Sequence, residues 1–416
     1  MLSPTEAARL IVEQVTPLPA IRRPLRETLD LVLAEDVRSP IDLPSWDNSA
    51  MDGYAVRAVD VAGATRDRPA TLQVTETVAA GRFPEQPVAA GMATRIFTGA
   101  PLPAGADTVI RQEDTTTLDE GRVAVLDDRD ARHNIRHRGE DIRRGDVVLA
   151  TGVPLGPAQL GVLASIAHAR PLVHPPPRVA FLGSGDEIAD LDQAAEILAG
   201  RKVATSNSYT VRGMIHRAGG IPVDLGLARD SKESLLEHLV DAAGTDLLVT
   251  TAGVSVGDHD LVRAVMMELG YEMKVGRVRM RPGAPLAVGT RAGGVWIGLP
   301  GNPVSVMVTF ELFVRPAIRR LLGHTLPYRR SVTVCLAEPI ALGPPLRHFL
   351  RAVVAPGEDG VLTARLTGPQ GSGILTSMAR ANALLIVPED RQAVPAGSAL
   401  QALLLDDPQH VAAPPF

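Results

Sequence analysis

The chain has 416 residues, which is too long for one ordinary hydrophobic core and predicts roughly two to four domains. Its 45% hydrophobic and 21% charged residues are typical of a globular protein and exclude an intrinsically disordered chain. The net charge of -5 and the aromatic content of 3% disfavour nucleic-acid binding, because proteins that bind nucleic acids usually carry a basic surface and aromatic side chains for base stacking.

The first predicted element is a helix that begins at the sequence SPTE. Ser3 is placed to act as the N-cap, Pro4 takes the first helical position, and Glu6 completes a capping box. No segment approaches the ~18 consecutive apolar residues of a membrane-spanning helix. The single cysteine, Cys335, excludes an internal disulfide. Because the chain also begins without a signal-peptide pattern, we expect a cytoplasmic protein with no membrane partner.

A turn-rich sequence, SWDNSAMDGYAV at residues 45–56, comes next, and its carboxylates Asp47 and Asp52 belong either to a structural loop or to a functional site. From about residue 55 to 150, short β-branched runs separated by glycine and proline predict a β-rich region. A helix is predicted to begin near Pro157. The sequence HPPPR at 174–178 is typical of an extended linker.

After this linker, three apolar strands alternate with loops and helices. The strands have the sequences RVAFLGS, DLLVTT and GVWIGL. This alternation predicts a doubly wound parallel sheet. From about residue 325 onward, short runs such as SVTVCL and NALLIV predict a small antiparallel β domain.

Ligands of parallel α/β sheets bind beyond the carboxyl ends of the strands, where the loops 183–187, 250–260 and 299–305 follow the three strands. Glycines in these loops let backbone N–H groups approach an anion, and the helix after the third loop adds a positive dipole end. Ser255 and Ser305 supply hydroxyl donors. Four carboxylates suit Mg²⁺ held jointly with phosphate: Asp186, Glu187, Asp258 and Asp260.

Three arginines at alternate positions, Arg277, Arg279 and Arg281, would share one face of a strand. Any single loop is more simply a glycine turn that caps a helix, and neither GxGxxG nor GxxxxGK[ST] occurs. The three loops and the arginines together favour a nucleotide-like or phosphorylated ligand. The spacing leaves the identity of that ligand open.

Several longer motifs, in order along essentially the whole chain, resemble the molybdopterin molybdenumtransferase family, which includes MoeA proteins and the E domain of gephyrin-like proteins. The matching sequences are LPSWDNSAMDGYAV, IFTGAPLPAGADTVI, RHRGEDI, LGSGDEI, SNSY, GVSVGDHD, GLPGNPVS and GPQGSGILTSMARANALLIVP.

The resemblance implies a multidomain α/β plus β fold. Its parts would be an N-terminal helix packed on the linking or α/β domain (1–26), a split linking domain (27–45 and 139–175), an inserted β-rich domain (46–138), a central doubly wound α/β domain that binds molybdopterin (176–324), and a small C-terminal β-barrel-like domain (325–416). It also implies a homodimer in which the inserted domain of one subunit reaches the α/β cleft of the other. A molybdopterin adenylyltransferase is a possible further partner.

The implied reaction transfers molybdate onto the dithiolene of adenylated molybdopterin and releases AMP and molybdenum cofactor, with Mg²⁺ assisting. Residues at matching positions are expected to act in catalysis: Asp52, Thr98, Asp141, Glu187 and Asp260. The expected metal-binding residues are Asp230, Glu187, Ser255 and Asp260, although Asp230 is also read as a helix N-cap. The expected substrate-binding residues are Gly183, Asp186, Gly253, Ser255, Gly257, Arg277, Arg281, Pro300, Gly301, Asn302, Pro303 and Ser305, with Arg347, Ser372 and Ser377 expected to hold molybdate.

The chain departs from the family pattern at two positions. A second lysine of the usual Lys-Pro-Gly-Lys run is replaced by Ala284, and a glycine of the usual SGGVS sequence is replaced by Ala252. Two alternatives stay open, of which the second is favoured by the loss of charge at Ala284. One is a molybdopterin adenylyltransferase, which shares the α/β domain; the other is a pterin-binding carrier without catalytic activity.

Overall fold

The computed structural model describes residues 1–252, 261–357 and 360–405, and the chain divides into two compact units. The larger unit consists of Met1–Arg22, Asp30–Ala34 and the described part of Leu172–Phe416. The smaller unit consists of Arg23–Leu29 and Glu35–Pro171.

Within the described ranges, the α-helices are α1 (Pro4–Glu13), α2 (Ala58–Val61), α3 (Pro157–Ser165), α4 (Ala194–Leu198), α5 (Ser206–Ala218), α6 (Lys232–Leu239), α7 (Leu261–Glu268), α8 (Pro303–Thr309), α9 (Arg315–Leu321) and α10 (Leu375–Ala379). A π-helical segment, Phe310–Val314, joins α8 to α9. The predicted capping box of α1 is confirmed, because Ser3 Oγ accepts from the Glu6 backbone N–H at 3.2 Å and Glu6 accepts from the Ser3 N–H at 2.7 Å. No helix in these ranges is long and apolar enough to cross a membrane.

The strands of the same ranges follow in chain order. They are β1 (Ile21–Arg22), β2 (Val32–Leu33), β3 (Val37–Arg38), β4 (Asn48–Ser49), β5 (Gly53–Val56), β6 (Ala70–Val78), β7 (Met92–Ile96), β8 (Thr108–Arg111), β9 (Thr115–Thr117), β10 (Arg122–Val125), β11 (Ile135–Arg136), β12 (Val147–Leu149), β13 (Leu172–His174), β14 (Arg178–Ser184), β15 (Ile188–Ala189), β16 (Val203–Ala204), β17 (Ile221–Ala228), β18 (Leu247–Thr251), β19 (Glu272–Arg277), β20 (Met280–Arg281), β21 (Pro285–Arg291), β22 (Gly294–Leu299), β23 (Ser331–Leu336), β24 (Ile340–Ala341), β25 (Arg347–Pro356), β26 (Leu362–Leu366), β27 (Ala383–Val387), β28 (Ala393–Val394) and β29 (Ala399–Leu404).

The smaller unit is built on a six-stranded sheet in the order β8-β5-β7-β6-β10-β9. Its core is formed by small and β-branched side chains, among them Val56, Val61 and Ile110, which are fully buried. Two short pairs, β4 with β11 and β3 with β12, complete the strands of this unit. The predicted β-rich region is therefore present, and the helix predicted near Pro157 is α3.

The central sheet of the larger unit has the strand order β17-β14-β18-β22-β21-β19. The first four strands are parallel, as predicted, but β21 runs antiparallel to both β22 and β19, so the sheet is mixed. The reason is local: only two residues connect Arg291 to Gly294, and Gly293 takes a positive φ of 74° in that turn. A connection of two residues can join only antiparallel strands.

Side chains of the parallel strands alternate between two cores, which is the doubly wound arrangement expected. In β14, Val179 and Phe181 pack against α1, α5, α8 and α9 on one face of the sheet, whereas Leu182 packs against α6 and α7 on the other face. Full burial of a side chain as large as Phe181 contributes about 1.5–3 kcal/mol. Both sheet faces are therefore covered, and the carboxyl edge of the strands is left for ligands.

The expectation that three arginines share one strand is wrong, because Arg277 ends β19 whereas Arg281 ends the separate strand β20. The chain bends between them, where the Arg279 N–H donates to the Leu2 carbonyl at 2.8 Å. The arginines are nevertheless all exposed and alternate with buried Val278 and Met280.

The strands after residue 330 form the small closed barrel that was predicted, but the expectation of a purely antiparallel domain is wrong, because β23 and β26 pair in parallel. Strands β25, β26, β23, β29 and β27 pair in sequence, and β27 pairs back with β25 to close the ring. Strand β20 adds to the outside of this ring by pairing in parallel with the start of β25, where Arg281 lies opposite His348. The barrel and the central sheet are thus joined through the segment that carries Arg281.

Candidate functional site

A cleft of about 480 Å³ lies at the carboxyl edge of the parallel strands in the larger unit. The ends of β14, β18 and β22 and the first turn of α5 form its walls. The lining residues include Gly183, Ser184, Glu187, Thr205, Ser206, Asn207, Thr251, Ala252, Pro285, Pro300, Gly301, Asn302 and Pro303. The position of this cleft agrees with the rule that ligands of open α/β sheets bind beyond the carboxyl ends of the strands.

Six residues predicted from the loops line this cleft together: Gly183, Glu187, Pro300, Gly301, Asn302 and Pro303. The predicted residues Gly253, Ser255, Gly257, Asp258 and Asp260 lie outside the residues that the structure describes. The remaining lining residues, among them Ser184, Asn207 and Ala252, were not predicted to bind substrate. The motif SNSY at the start of α5 is the signal that could have identified Asn207.

Two polar atoms of the cleft have no hydrogen-bond partner among the described residues. They are the hydroxyl of Ser184, a residue that is 6% exposed, and Oδ1 of Asn207. The Asn207 side chain is held in place because its Nδ2 donates to the Gly301 carbonyl at 2.8 Å. Buried polar groups of native proteins are usually paired, so these two unpaired atoms are exceptions to the usual pattern.

Ala252 ends the second wall of the cleft in a left-handed backbone conformation, with φ at 73°. An L-residue with a side chain is strained there, whereas glycine is not. Glycine, which the resemblance implies at this position, would take the same conformation without strain. The Ala252 methyl group also lies against Gly301, within 3.4 Å of where a Cβ of that residue would be, so it narrows the cleft locally.

Three other predicted residues lie near the cleft without lining it. The Asp230 N–H donates to Oδ1 of Asp186 at 3.2 Å, and both carboxylates are exposed. The reading of Asp230 as a helix N-cap is wrong, because Ser231 caps α6 by accepting from the Ser234 N–H. Ser305 is buried in the first turn of α8, where its carbonyl accepts from Thr309.

A second pocket, of about 290 Å³, lies where β20 meets the barrel. Its polar lining residues are Arg281, His348, Arg351 and Gln370. Arg281 and Pro282 line this pocket, whereas Pro285 lines the cleft, so residues 281–285 extend from one site to the other. This short segment contains Ala284.

Arg351 is fully buried, and no ion pair to it occurs among the described residues. Its Nε donates to Ser377 Oγ at 3.0 Å and Nη2 donates to the Gly371 carbonyl at 2.9 Å, whereas Nη1 has no partner among the described residues. Burial lowers the pKa of Arg351 to about 10, which leaves it charged at neutral pH. A buried cation of this kind is costly unless an anion pairs with it.

The sequence did not predict Arg351, although an arginine inside the apolar strand sequence HFLRAVV is a signal for it. The structure does not bring the predicted Arg347 into this pocket. The Arg347 guanidinium instead pairs with Glu389 at 2.9 Å and donates to Thr5. Ser377 is not among the residues that line this pocket, but its Oγ accepts from Arg351 Nε. Ser372 does not line it either, and its carbonyl accepts from the Val304 N–H at the start of α8.

In the smaller unit, Asp52 and Thr98 are brought together. Asp52 Oδ1 accepts from the Thr98 backbone N–H at 2.8 Å and from the Thr98 hydroxyl at 2.9 Å. The backbone hydrogen bond, followed by the hydroxyl, lowers the pKa of Asp52, so the exposed carboxylate is ionised at neutral pH. Glycine is required next to it, because a Cβ on Gly53 would lie 1.9 Å from the Ile110 carbonyl oxygen.

Asp141 lies elsewhere in the smaller unit. Its backbone N–H donates to the Leu43 carbonyl at 3.1 Å, and its carboxylate is exposed. The structure shows no contact between the side chains of Asp141 and Asp52.

No group of three or more His, Cys, Asp or Glu side chains able to hold a metal occurs among the residues that the structure describes. Glu187 is the described carboxylate that lines the cleft. Magnesium is usually held by one or two carboxylates together with water and the phosphates of a substrate. The donor set at the cleft therefore fits Mg²⁺ held with a phosphorylated ligand.

Family models match the chain in three consecutive blocks. They are the MoeA N-terminal region (domains I and II) over residues 2–167, a probable molybdopterin binding domain over 180–320, and the MoeA C-terminal region (domain IV) over 333–405.

Among curated relatives, molybdopterin molybdenumtransferase 2 of Mycobacterium tuberculosis is 36% identical over 412 residues, which cover 96% of this chain and 99% of the relative. The molybdopterin molybdenumtransferase of Haemophilus influenzae is 33% identical and covers 90% of this chain and 91% of its own length. A crystal structure of the molybdopterin biosynthesis moeA protein from Pyrococcus horikoshii OT3 is similar with a TM-score of 0.80 and 28% identity, over 97% of this chain and 100% of that one. The chain therefore belongs to the molybdopterin molybdenumtransferase family.

Proposed function

We propose that this protein transfers molybdenum from molybdate to the dithiolene of adenylated molybdopterin and releases molybdenum cofactor and AMP. The observation that carries the proposal is the pair of sites in the larger unit. A cleft with glycine loops and a carboxylate suits a phosphorylated ligand, and a neighbouring pocket with a buried, incompletely paired arginine suits an oxyanion. Arg281 lines the pocket and Pro285 lines the cleft, so the two sites are neighbours.

The cleft is proposed to bind the pterin nucleotide. The first turn of the 13-residue helix α5 faces it, so N–H groups and a positive dipole end are available to the phosphates. Pro300 and Pro303 hold the loop before α8 in shape, because proline fixes φ and removes one N–H donor.

Glu187, together with Ser255, Asp260 and Asp230, would hold Mg²⁺ with the substrate phosphates. When bound, the cation supplies positive charge that offsets the charge developing on the phosphate oxygens as AMP leaves. Glu187 is the described member of this set that lines the cleft.

The second pocket is proposed to bind molybdate as the second substrate. Arg351 Nη1 supplies a donor, Arg281 supplies a second positive charge, and Ser377 fixes the Arg351 guanidinium by accepting from Nε. Because Ala284 carries no charge, this protein relies on arginines where its relatives commonly have a second lysine. Burial lowers the pKa of His348, which keeps that side chain neutral, so the arginines are the cations available there.

We further propose that Asp52, supported by Thr98, acts in the cleft of a partner subunit within a homodimer, and that Asp141 belongs to the same face. The division into the five segments named from the sequence, a cytoplasmic location and an interaction with a molybdopterin adenylyltransferase are parts of the same proposal. They rest on the family and not on any contact described above.

The test is AMP release from adenylated molybdopterin, measured with Mg²⁺ and molybdate and again with each withheld. We expect release that needs both ions and stops when a chelator removes Mg²⁺. Tight pterin binding without AMP release would support a carrier, the alternative favoured by the loss of charge at Ala284. Consumption of ATP with metal-free molybdopterin would support an adenylyltransferase instead.

A further inference from the structure

The side chain of Arg95 is held between two aromatic rings in the smaller unit. Arg95 lies in β7 directly opposite Tyr54 of β5, and paired residues of an antiparallel sheet project their side chains from the same face. The Arg95 guanidinium carbon lies 4.9 Å from the centre of the Tyr54 ring and 5.1 Å from the centre of the Phe97 ring. Both distances are typical of a cation–π contact, so the two rings fix the position of the guanidinium.

The same guanidinium connects three neighbouring strands. Its Nη1 donates to the Gly53 carbonyl at 3.2 Å, and its Nη2 donates to Oε1 of Gln112 at 2.7 Å. Gly53 begins β5, and Gln112 directly follows β8 on the other side of β5. Arg95 therefore reaches across β5 from β7 to the end of β8. A guanidinium can do this because its donors form a rigid planar fork, which an ammonium group lacks.

These contacts fix the backbone next to Asp52. The Asp52 carbonyl accepts from the Gln112 N–H at 3.0 Å, and the next carbonyl, that of Gly53, accepts from Arg95. Glycine has the widest choice of backbone conformations, so a hydrogen bond to the Gly53 carbonyl removes freedom that would otherwise reach Asp52. Arg95 and Gln112 thus hold the backbone from which the Asp52 side chain projects, whereas Thr98 holds its carboxylate.

Arg95 also places a positive charge near the Asp52 carboxylate. Its two hydrogen-bond partners are neutral, and no carboxylate forms an ion pair with it within the described ranges of the chain. The hydrogen bonds from Thr98 are the main cause of the lowered pKa of Asp52, and the charge of Arg95 lowers this pKa further. Geometry and charge can be separated by substitution, because lysine keeps the charge and loses the fork.

We propose that Arg95 is a positioning residue for Asp52: by holding the Gly53 carbonyl and Gln112 together, it fixes the direction in which the Asp52 carboxylate projects from the smaller unit. This inference rests on the proposed function, in which Asp52 acts in the reaction. Arg95 exerts its role through Asp52, so its loss affects turnover and not the affinity for substrate.

The test compares Arg95→Met, which keeps the length of the side chain between the two rings, with Arg95→Lys, which keeps the charge. We expect Arg95→Met to lower kcat for AMP release roughly tenfold to a hundredfold, because a small misplacement of a reacting group has an effect of this size. The KM for adenylated molybdopterin should stay unchanged. Arg95→Lys should lose part of kcat, since lysine cannot donate to both acceptors in the same planar geometry.

A second readout follows Asp52 directly and needs no substrate. The Thr98 amide donates to Asp52 Oδ1, so the NMR signal of this amide in the full chain reports the pH at which Asp52 titrates. In Arg95→Met this pH should rise because a positive charge is lost, whereas in Arg95→Lys it should stay at the wild-type value. A merely structural role of Arg95 would not separate the two variants in this way.

Arg122→Met is the matched control. Arg122 is an exposed arginine of the same sheet, on β10, where it pairs with Glu120 at 3.4 Å. Two strands, β7 and β6, separate it from β5. Its replacement is expected to change neither kcat nor the pH at which the Thr98 signal titrates.

Three results would overturn the inference. The first is Arg95→Met with wild-type kcat and wild-type titration of the Thr98 signal. The second is Arg95→Lys as active as the wild type, since the charge alone would then suffice. The third is a raised KM with unchanged kcat, which would assign Arg95 to substrate binding.

If neither variant of Arg95 folds, Gln112→Leu carries the test, because it removes the acceptor of Nη2 at an exposed position. We expect Gln112→Leu to lower kcat by about threefold to tenfold, the effect of losing one hydrogen bond. An unchanged kcat in Gln112→Leu would then overturn the inference.

Failure of this inference is distinguishable from failure of the proposed function. Normal AMP release by Asp52→Asn would contradict the role proposed for Asp52, while the titration of the Thr98 signal would still decide whether Arg95 acts on Asp52. Loss of AMP release in Asp52→Asn together with wild-type kcat in Arg95→Met would support the proposed function and overturn the inference.

Discussion

Arg351 is a buried cation whose Nη1 has no partner among the described residues, and its pocket is the proposed molybdate site. Replacing it in Arg351→Met removes a charged donor, and hydrogen bonds to charged groups contribute about 1.5–3 kcal/mol. We therefore expect the KM for molybdate to rise roughly tenfold to a hundredfold, measured from initial rates of AMP release. Arg365→Met, on the exposed face of β26, is the matched control. An unchanged KM in Arg351→Met would remove the pocket from the mechanism.

Ala252 holds a positive φ of 73° at the edge of the cleft. The substitution Ala252→Gly relieves this strain and so raises the free energy of unfolding by about 1–2 kcal/mol. Glycine also has more freedom in the unfolded chain, which offsets about 0.4–1 kcal/mol of that gain. We expect a higher urea midpoint with an unchanged m-value. Ala167→Gly, whose φ is 59° in the smaller unit, should also gain stability. A lower midpoint for Ala252→Gly alone would mean that its methyl group contributes packing that outweighs the strain.

Thr98 lowers the pKa of Asp52 through two hydrogen bonds, and the one from its hydroxyl can be removed. In Thr98→Val the pKa of Asp52 rises towards its ordinary value, so the acid limb of the pH profile of kcat should move to higher pH. Thr98→Ser keeps the hydroxyl and should keep the wild-type profile. The pKa of Asp52 is lower in the folded protein than in the unfolded chain. The stability that the Thr98–Asp52 hydrogen bond contributes is therefore fully present above the pKa of the unfolded state, and it is lost as the pH falls through the pKa of the folded state. An acid limb at the same pH in Thr98→Val would exclude Asp52 as the titrating group.

Site residues that belong to a sequence motif could be predicted, whereas residues that matter because they are buried could not. Glu187 and Pro300 follow predicted strands, and the cleft brings them together. Arg351 and Asn207 were missed because an unpaired atom is a property of the packed chain, which motif spacing does not encode. Arg347 was expected to hold molybdate on the basis of the resemblance, which does not show that Glu389, far away in sequence, pairs with it.

At the scale of single elements, α1 offers the most direct test of a sequence-derived feature. Ser3→Ala removes the side-chain cap of the first turn, which typically costs about 1 kcal/mol of helix stability. We expect faster hydrogen exchange at the Glu6 amide, by about fivefold, and little change at amides of α5. Glu13→Gln, at the other end of α1, is a control that leaves the cap intact. Equal exchange at Glu6 in wild type and Ser3→Ala would show that packing alone holds the turn.

Three of the four parallel strands, β14, β18 and β22, could be predicted because each is an apolar run followed by a loop. Strand β17 was not predicted, because its sequence IPVDLGLA is interrupted by proline, aspartate and glycine. The antiparallel strands β19 and β21 could not be predicted either, because their polarity is set by the two-residue turn before Gly294 and by pairing with distant neighbours. The bend at Arg279 has a similar cause, since a backbone bond to Leu2 at the start of the chain determines it.

At the scale of the whole molecule, the proposed homodimer makes each site depend on two chains. Asp52→Asn and Glu187→Gln should each abolish turnover alone. A mixture refolded in equal amounts should recover about a quarter of wild-type activity, because half of the dimers are mixed and each mixed dimer has one intact site. Activity is measured as AMP release. If the mixture stays as inactive as the separate variants, Asp52 and Glu187 act within one chain or not in one site.

The multidomain α/β plus β fold could be predicted because composition, strand spacing and the order of the motifs agree with one another. The barrel closure could not be read from local patterns, since it depends on pairing of β25 with β27, which are separated in sequence by β26 and α10. Charge and exposure within the cleft likewise emerge only when elements far apart in the chain meet.

In the proposed reaction, this protein couples molybdenum insertion to AMP release. The most direct measurement determines, in a single reaction with adenylated molybdopterin, Mg²⁺ and molybdate, both the molybdenum bound to the pterin product and the AMP released. We predict equal amounts of the two products, and neither of them when molybdate is withheld. AMP released without molybdate, or pterin bound with neither product formed, would contradict the account.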